Sequence, residues 1–263
     1  MTAASASLYP FDYEPERHLL AKARRRLVQW STVAPLGELN ASIITFSFDD
    51  FPKSAVDNGA DILHEIDAKA IYYACSGLSG KSNKTGEQYE AQEIQQLIDA
   101  GHEIGAHTHF HKDCAVHPVS EVLTDIDRNL QSLKDMGVAY PIRHFAYPYG
   151  ETSLPLKKSL ADKFDTARGI LRGHNFAHSD KMQLRAMELT PDPMTIDRAI
   201  NAINQAQRAP CWLHIFTHDI RSNPSDFGVN RNSFLRVARA ARNSGLPILP
   251  PTEALERLKG MDT

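Results

Sequence analysis

Cysteine is scarce in this chain. The three present, Cys75, Cys114 and Cys211, are scattered, odd in number and form no C-x-x-C pair. That excludes a disulfide framework and fits a reducing compartment. A surplus of one charge is lacking too. Lys and Arg total 29 against 32 Asp and Glu, for a net charge of −3, so nothing points to nucleic acid as a partner. No run approaches the ~18 apolar residues of a membrane span. The opening MTAASASLYPFDYEPERHLL lacks the basic-then-apolar pattern of a secretory leader. The expectation is a soluble, cytoplasmic protein. Its 263 residues, 42% hydrophobic, suffice for one large α/β domain and are too few for two comfortable ones.

One local charge feature stands out. ERHLLAKARRRLVQW carries Arg17, Lys22, Arg24, Arg25 and Arg26, with Leu19, Leu20, Ala23, Leu27 and Trp30 at roughly helical spacing. Such a helix either packs on the domain or touches anionic lipid headgroups or an anionic substrate. We take residues 1–40 as an N-terminal extension carrying this helix and 41–263 as the main domain, and expect possible peripheral membrane contact through the helix. Oligomeric state is not legible.

From Ser42 onward, strand and helix patterns alternate. SIITFSFDD and KAIYYACS read as strands covered on both faces. SAVDNGADILHEID, AQEIQQLIDAG and VSEVLTDIDRNLQSLKDMG read as helices, the last with Ser120 as a candidate cap and Gly137 as its stop. GLSGKSNKTGEQ reads as a surface loop. HEIGAH, IRHFAYPYG, DTARGI and CWLHIFTHD read as further strands, and LPILPPTEALERL as a last strand and helix. About seven β/α units result, which fits a doubly wound sheet or a closed parallel barrel. In both, chemistry collects where strands end.

Reactive residues fall at those ends. The first strand closes on Asp49-Asp50, the third on HTHFH (His107 to His111), the fourth on YPYG (Tyr147 to Gly150) and the sixth on THD, with His218 and Asp219. The spacing of His107 and His111 points both rings one way on a helical turn, where they can hold a metal. Two histidines and one carboxylate form a catalytic zinc set with positions left open. Asp49 or Asp50 supplies the carboxylate. His109, between the two, points away.

TFSFDD, GHEIGAHTHFH, FAYPYG and IFTHD, in this order, resemble the signature motifs of the polysaccharide deacetylases, the NodB-homology or carbohydrate esterase family 4 group. The resemblance runs from about Ser42 to Asp219. It implies a distorted (β/α)7 barrel and metal-dependent removal of N-acetyl groups from a sugar polymer containing N-acetylglucosamine. It also implies roles: Asp49 as general base; Asp50, His107 and His111 as metal ligands; the Tyr149 amide as oxyanion donor; and His218 as general acid. Tyr147, Pro148, Phe216 and Asp219 are candidate substrate contacts. The cofactor would be one divalent metal, Zn2+ by default, with Co2+, Ni2+ or Mn2+ tolerated.

Two departures bear on function. Where the family pattern has an arginine that pairs with the base, this chain has Ala146. Arg168, at the end of DTARGI, is the expected replacement and Arg185 the next candidate, while Arg143 lies on the opposite strand face. The fourth motif is poorly matched, with Asp192 as a weak candidate. His144 and His214 lie inside strands and read as buried structural residues, as does Trp212. The leading expectation is a deacetylase acting on a nascent or lipid-linked saccharide in exopolysaccharide synthesis. An amidase on another substrate and a non-catalytic saccharide-binding barrel are the alternatives.

Overall fold

The structure, a computed structural model, describes residues 19–259. Seven parallel strands form one sheet: β1 Ile43–Asp49, β2 Ala70–Ala74, β3 Glu103–Ala106, β4 His144–Ala146, β5 Thr166–Arg168, β6 Ala186–Glu188 and β7 Trp212–Thr217. Their order across the sheet is β5-β4-β3-β2-β1-β7-β6. The two edges meet: the Leu184 amide donates to the Ala167 carbonyl and the Gly169 amide to that of Leu184, at 2.9 Å each. The sheet is thereby a nearly closed (β/α)7 barrel. Helices wrap it: α1 Leu19–Trp30, α2 Asp61–Glu65, α3 Ala91–Asp99, α4 Val119–Asp135, α5 Leu154–Ala161, α6 Pro193–Ala206, α7 Arg231–Asn243 and α8 Pro251–Leu258. Arg17 lies outside the described residues.

Strand alternation decides what enters the barrel. On β1, Ile44, Phe46 and Phe48 face outward into the main hydrophobic core. Phe46 meets Phe234 of α7 edge-on at 5.6 Å, and Phe48 stacks on Tyr72 at 4.6 Å. Each such fully buried side chain contributes ~1.5–3 kcal/mol by leaving water. Thr45, Ser47 and Asp49 take the inward face. The Thr45 hydroxyl donates to the Leu249 carbonyl and receives the Trp212 indole N–H, both at 2.8 Å. The same period places Trp212, His214 and Phe216 inward on β7. Ala146 and Arg168 sit side by side at the ends of β4 and β5.

Four local expectations change. Pro118, not Ser120, precedes the first residue of α4, and no side chain caps that end. The loop after β2 contains a short hairpin, Ser82–Asn83 against Gly86–Glu87. The expected last strand is reduced to a single bridge between Ile44 and Ile248, because its prolines deny the ladder its donors. The seventh strand is instead β6, three residues ending in Glu188, too short and too polar to carry a periodic signal. It pairs with β7 through Ala186, Met187 and Glu188.

At the N-terminal end of the barrel, Glu103 accepts the Thr252 amide at 3.0 Å, with His144 Nε2 3.6 Å away. Burial pushes the Glu103 carboxyl up to about 7 and the His144 imidazole down to about 3. The folded state therefore holds a proton on Glu103 that the unfolded chain releases near pH 4.5. Stability falls as pH rises from that value through 7. Glu103→Gln keeps the acceptor for Thr252 and removes this titration. We expect unchanged stability at pH 4.5 and a gain on the order of 2 kcal/mol at pH 8, read from denaturant unfolding; equal stability at both pH values would refute the assignment.

Candidate metal and catalytic site

Asp49 closes β1 on the inward face, and a regular strand would then send Asp50 outward. The backbone prevents this. Asp50 takes φ +44, a left-handed conformation unusual for a residue with a side chain, and its carboxylate turns back over the barrel mouth. Three other non-glycine residues of the site share that conformation: Thr108 at φ +58, His111 at +50 and Tyr149 at +59. Among the described residues only Asp67 does so elsewhere. Strain held by surrounding structure is a mark of functional sites.

Helix α4 does the holding for the histidine turn. Asp125 accepts the amides of His109 and Phe110 at 2.7 and 3.0 Å. Asn129 accepts the His107 amide and donates to the Ala74 carbonyl and the Ser76 hydroxyl. His107 and His111 consequently meet with ring centroids 5.0 Å apart. His111 Nε2 lies 3.1 Å from Asp50 Oδ2, and His107 Nε2 3.9 Å from Asp50 Oδ1. One donor atom from each of the three residues falls within 4.8 Å of the others.

This donor set fits a divalent cation. Asp50 Oδ1 is buried with no hydrogen-bond partner, a costly state unless something else binds it. His107 Nδ1 lies 2.8 Å from the Ala146 carbonyl. A carbonyl only accepts, so Nδ1 carries the proton and Nε2 keeps its lone pair for a metal. Burial lowers the His107 imidazole to about 4, keeping it neutral and able to ligate. Burial alone would raise the Asp50 carboxyl; His111 and His107 outweigh it and hold the group far below the usual carboxylate range.

Arg168 is fully buried, and its Nη2 donates to both oxygens of Asp49. Its guanidinium lies over the Phe216 ring at 4.4 Å and the Tyr73 ring at 5.2 Å. Gly105 makes room for Tyr73: a Cβ there would meet the ring at 2.4 Å. For Asp49, burial raises the carboxyl and Arg168, His107 and His218 together lower it, with a net fall. The carboxylate is thus ionised and aimed, beside the metal donors. The other arginines named from sequence go elsewhere: Arg143 pairs with Asp165 on the surface, and Arg185 donates to the Arg172 carbonyl.

A cavity of about 270 Å³ opens over these groups, lined by Asp49, Asp50, His107, His111, Tyr149 and His218. Leu78, Ile170, Phe216 and Phe227 wall it, and the hairpin residues Asn83 to Thr85 edge it. Tyr149 meets His111 edge-on at 4.5 Å. His218 Nδ1 lies 3.2 Å from the Phe227 carbonyl, so Nε2 is the nitrogen left for proton transfer.

Two candidate substrate contacts, Asp219 and Pro148, need correction. Asp219 is fully buried. It accepts Arg221 Nε and the Ser225 amide, both at 2.9 Å, together with the Ser225 hydroxyl. It fastens the loop that carries Phe227 and does not line the cavity. Pro148 is buried in its turn, also outside the lining. Tyr147 does line the cavity, and its hydroxyl donates to the Met182 carbonyl at 2.8 Å. Phe216 remains a wall residue. Asp192 caps α6, accepting the Met194 amide at 2.9 Å, and is exposed. The carboxylate near His218 is instead Glu188, which lines the cavity at the end of β6. Burial raises its carboxyl and His218 opposes the rise. Its sequence signal is weak, because a three-residue strand has no period to detect.

A family model described as polysaccharide deacetylase matches residues 37–163, which include Asp49, Asp50, His107, His111 and Tyr149. A bifunctional xylanase/deacetylase of Pseudobutyrivibrio xylanivorans is 26% identical over 110 residues, 42% of this chain and 17% of that protein. The aligned part is thus under a fifth of the relative. A family 4 acetyl xylan esterase from Clostridium thermocellum, solved with a cobalt ion, shares the fold with a TM-score of 0.58 at 21% identity, covering 84% of this chain and 93% of that one. A peptidoglycan deacetylase from Bacillus subtilis does so with a TM-score of 0.57 at 18% identity and the same coverages. A CE4 family pseudoenzyme from Bacillus anthracis scores 0.59 at 13% identity, covering 86% and 69%. Residues 37–163, just under half of the chain, are thus similar to the polysaccharide deacetylase family, and the solved structures share its fold.

Arg168 and Ala146 face each other across β5 and β4, so the guanidinium can be supplied from either strand. Arg168→Ala leaves a buried unpaired carboxylate, costing ~3–5 kcal/mol. It also raises the Asp49 pKa, which moves the acid limb of any pH–rate profile to higher pH. We expect the double variant Ala146→Arg/Arg168→Ala to recover part of both losses; no recovery of stability would show that the two positions are not exchangeable.

Proposed function

We propose that this chain is a metal-dependent hydrolase that removes acetyl groups from the amino nitrogen of N-acetylglucosamine units in a saccharide. The observation that carries the reading is the ionised, arginine-clamped Asp49 beside the Asp50, His107 and His111 donors, with His218 across one cavity. Zn2+ is the ion we assign to these donors; His₂-carboxylate sets also accept Co2+, Ni2+ and Mn2+. Such an ion supplies Lewis-acid polarisation and makes water more acidic.

The chain's own residues then divide the work. Asp49 accepts a proton from the water that adds to the acetyl carbonyl carbon. Arg168 aims that carboxylate and keeps it ionised. The Tyr149 amide is the donor we assign to the oxyanion; losing such a donor typically costs ~10²–10³ in rate. His218 gives its proton to the nitrogen as the C–N bond breaks, so acetate and a free amine leave. The apolar walls at Leu78, Ile170, Phe216 and Phe227 suit the acetyl methyl and the faces of a sugar ring. A role in building an exopolysaccharide is our reading of the substrate's source.

The test is acetate release from N-acetylglucosamine oligomers, with acetylated xylan oligomers in parallel, on metal-stripped protein before and after Zn2+ addition. We expect zinc-dependent release from the N-acetylated oligomers, reduced at least ~10²-fold in Asp49→Asn. Release from the xylan oligomers alone would reassign the substrate to an ester. No release from either, with one metal bound per chain, would favour a non-catalytic saccharide-binding barrel.

A further inference from the structure

Helix α1 is held to the barrel through Arg25, Val28 and its C-terminal carbonyls. Arg25 Nε donates to Glu151 at 3.0 Å, and Val28 is buried. The fully buried Lys157 donates to the Val28 and Ser31 carbonyls at 3.0 and 2.8 Å while pairing with Asp180 at 2.7 Å. The helix therefore lies against the loop after β4, the loop that carries Tyr149. Gly150 and Ile170 line both the groove beneath α1 and the catalytic cavity.

The other side of α1 is apolar and open. Ala23, Leu27 and Trp30 share it at helical spacing; Leu27 is 66% exposed and Trp30 79%. Exposed Arg24 and Arg26 flank this stripe. Other large apolar side chains are exposed as well, Tyr140 and Phe176 among them. Val116, Ile170, Met194 and Phe227 are also exposed, and each follows the C-terminal end of a barrel strand. An apolar stripe with tryptophan at its end and arginines on both flanks matches the chemistry of a bilayer interface: aromatic rings at headgroup level, guanidinium groups on lipid phosphates.

We propose that this face docks on an anionic lipid bilayer, seating Leu27 and Trp30 among the headgroups beside the cavity mouth. The docking itself does not depend on the deacetylase reading. Combined with that reading, it makes a lipid-linked saccharide the substrate class, presented at the surface where the mouth lies.

The chain has two tryptophans, and the other, Trp212, is fully buried. Emission changes on adding vesicles therefore report Trp30. With the full chain, phosphatidylcholine vesicles containing about a third phosphatidylglycerol should shift the emission to the blue and carry the protein into the pellet. Pure phosphatidylcholine vesicles should do neither. Arg24→Glu/Arg26→Glu should lower the partition coefficient about fivefold or more per arginine. Leu27→Glu/Trp30→Glu should abolish sedimentation while its melting temperature matches wild type, because neither side chain packs on the core. No sedimentation of the wild type with anionic vesicles would overturn the proposal. So would undiminished binding by both variants, or a concentration-dependent dimer that the Leu27/Trp30 variant abolishes without any lipid. Acetate release from soluble oligomers tests the deacetylase reading separately.

Discussion

The pair between Asp49 and Arg168 depends on the curvature of the whole sheet. The two residues sit on β1 and β5, four strands apart in the sheet order. In a flat sheet that separation is roughly 19 Å at about 4.8 Å per strand. They touch only because the sheet curls until β5 meets the segment before β6. The pair in turn makes the site workable. A carboxylate buried there without a guanidinium would protonate and lose its use as a base, and a guanidinium buried without a carboxylate would be an uncompensated charge. Fold closure and the ionised Asp49 carboxylate thus stand or fall together.

Around that pair, the backbone is bent away from regular conformations at Asp50, Thr108, His111 and Tyr149. The bends at Asp50, His111 and Tyr149 place these residues in the cavity lining, while the buried Thr108 accepts the Lys112 amide within the histidine turn. Asp125 and Asn129 on α4 hold the histidine turn, and Asp219 does the same for the loop bearing Phe227. These buried polar groups lie outside the cavity lining, yet they define where the donors and walls stand. The Ala146 carbonyl has a similar part: its bond to His107 Nδ1 leaves the other nitrogen for a metal.

The rim carries a different kind of information. A barrel that only met solvent would have little reason to leave leucine and tryptophan outward on a helix already anchored by Arg25, Val28 and Lys157. Isolated exposed apolar residues are ordinary. Here Ile170 and Phe227 are exposed and also line the cavity, and Leu27 and Trp30 stand out on the helix packed beside its mouth, with Arg24 and Arg26 next to them.

Much of this was readable along the chain. The alternation of strand and helix signals, the candidate metal donors Asp50, His107 and His111, Asp49 and His218 all belong to local patterns, because a strand end and the turn after it are contiguous in sequence. Arg168 was singled out because it ends a strand, as Asp49 does. Its contact with Asp49, across 119 residues, exists only in the closed barrel. Glu188 and the burial of Asp219 were hidden for the same reason. A three-residue strand has no period to detect, and whether a carboxylate faces a cavity or folds back on its own loop depends on partners that sequence spacing does not reveal. Local chemistry is written in order along the chain, whereas the pairing of charges across a barrel follows from how far the sheet curls.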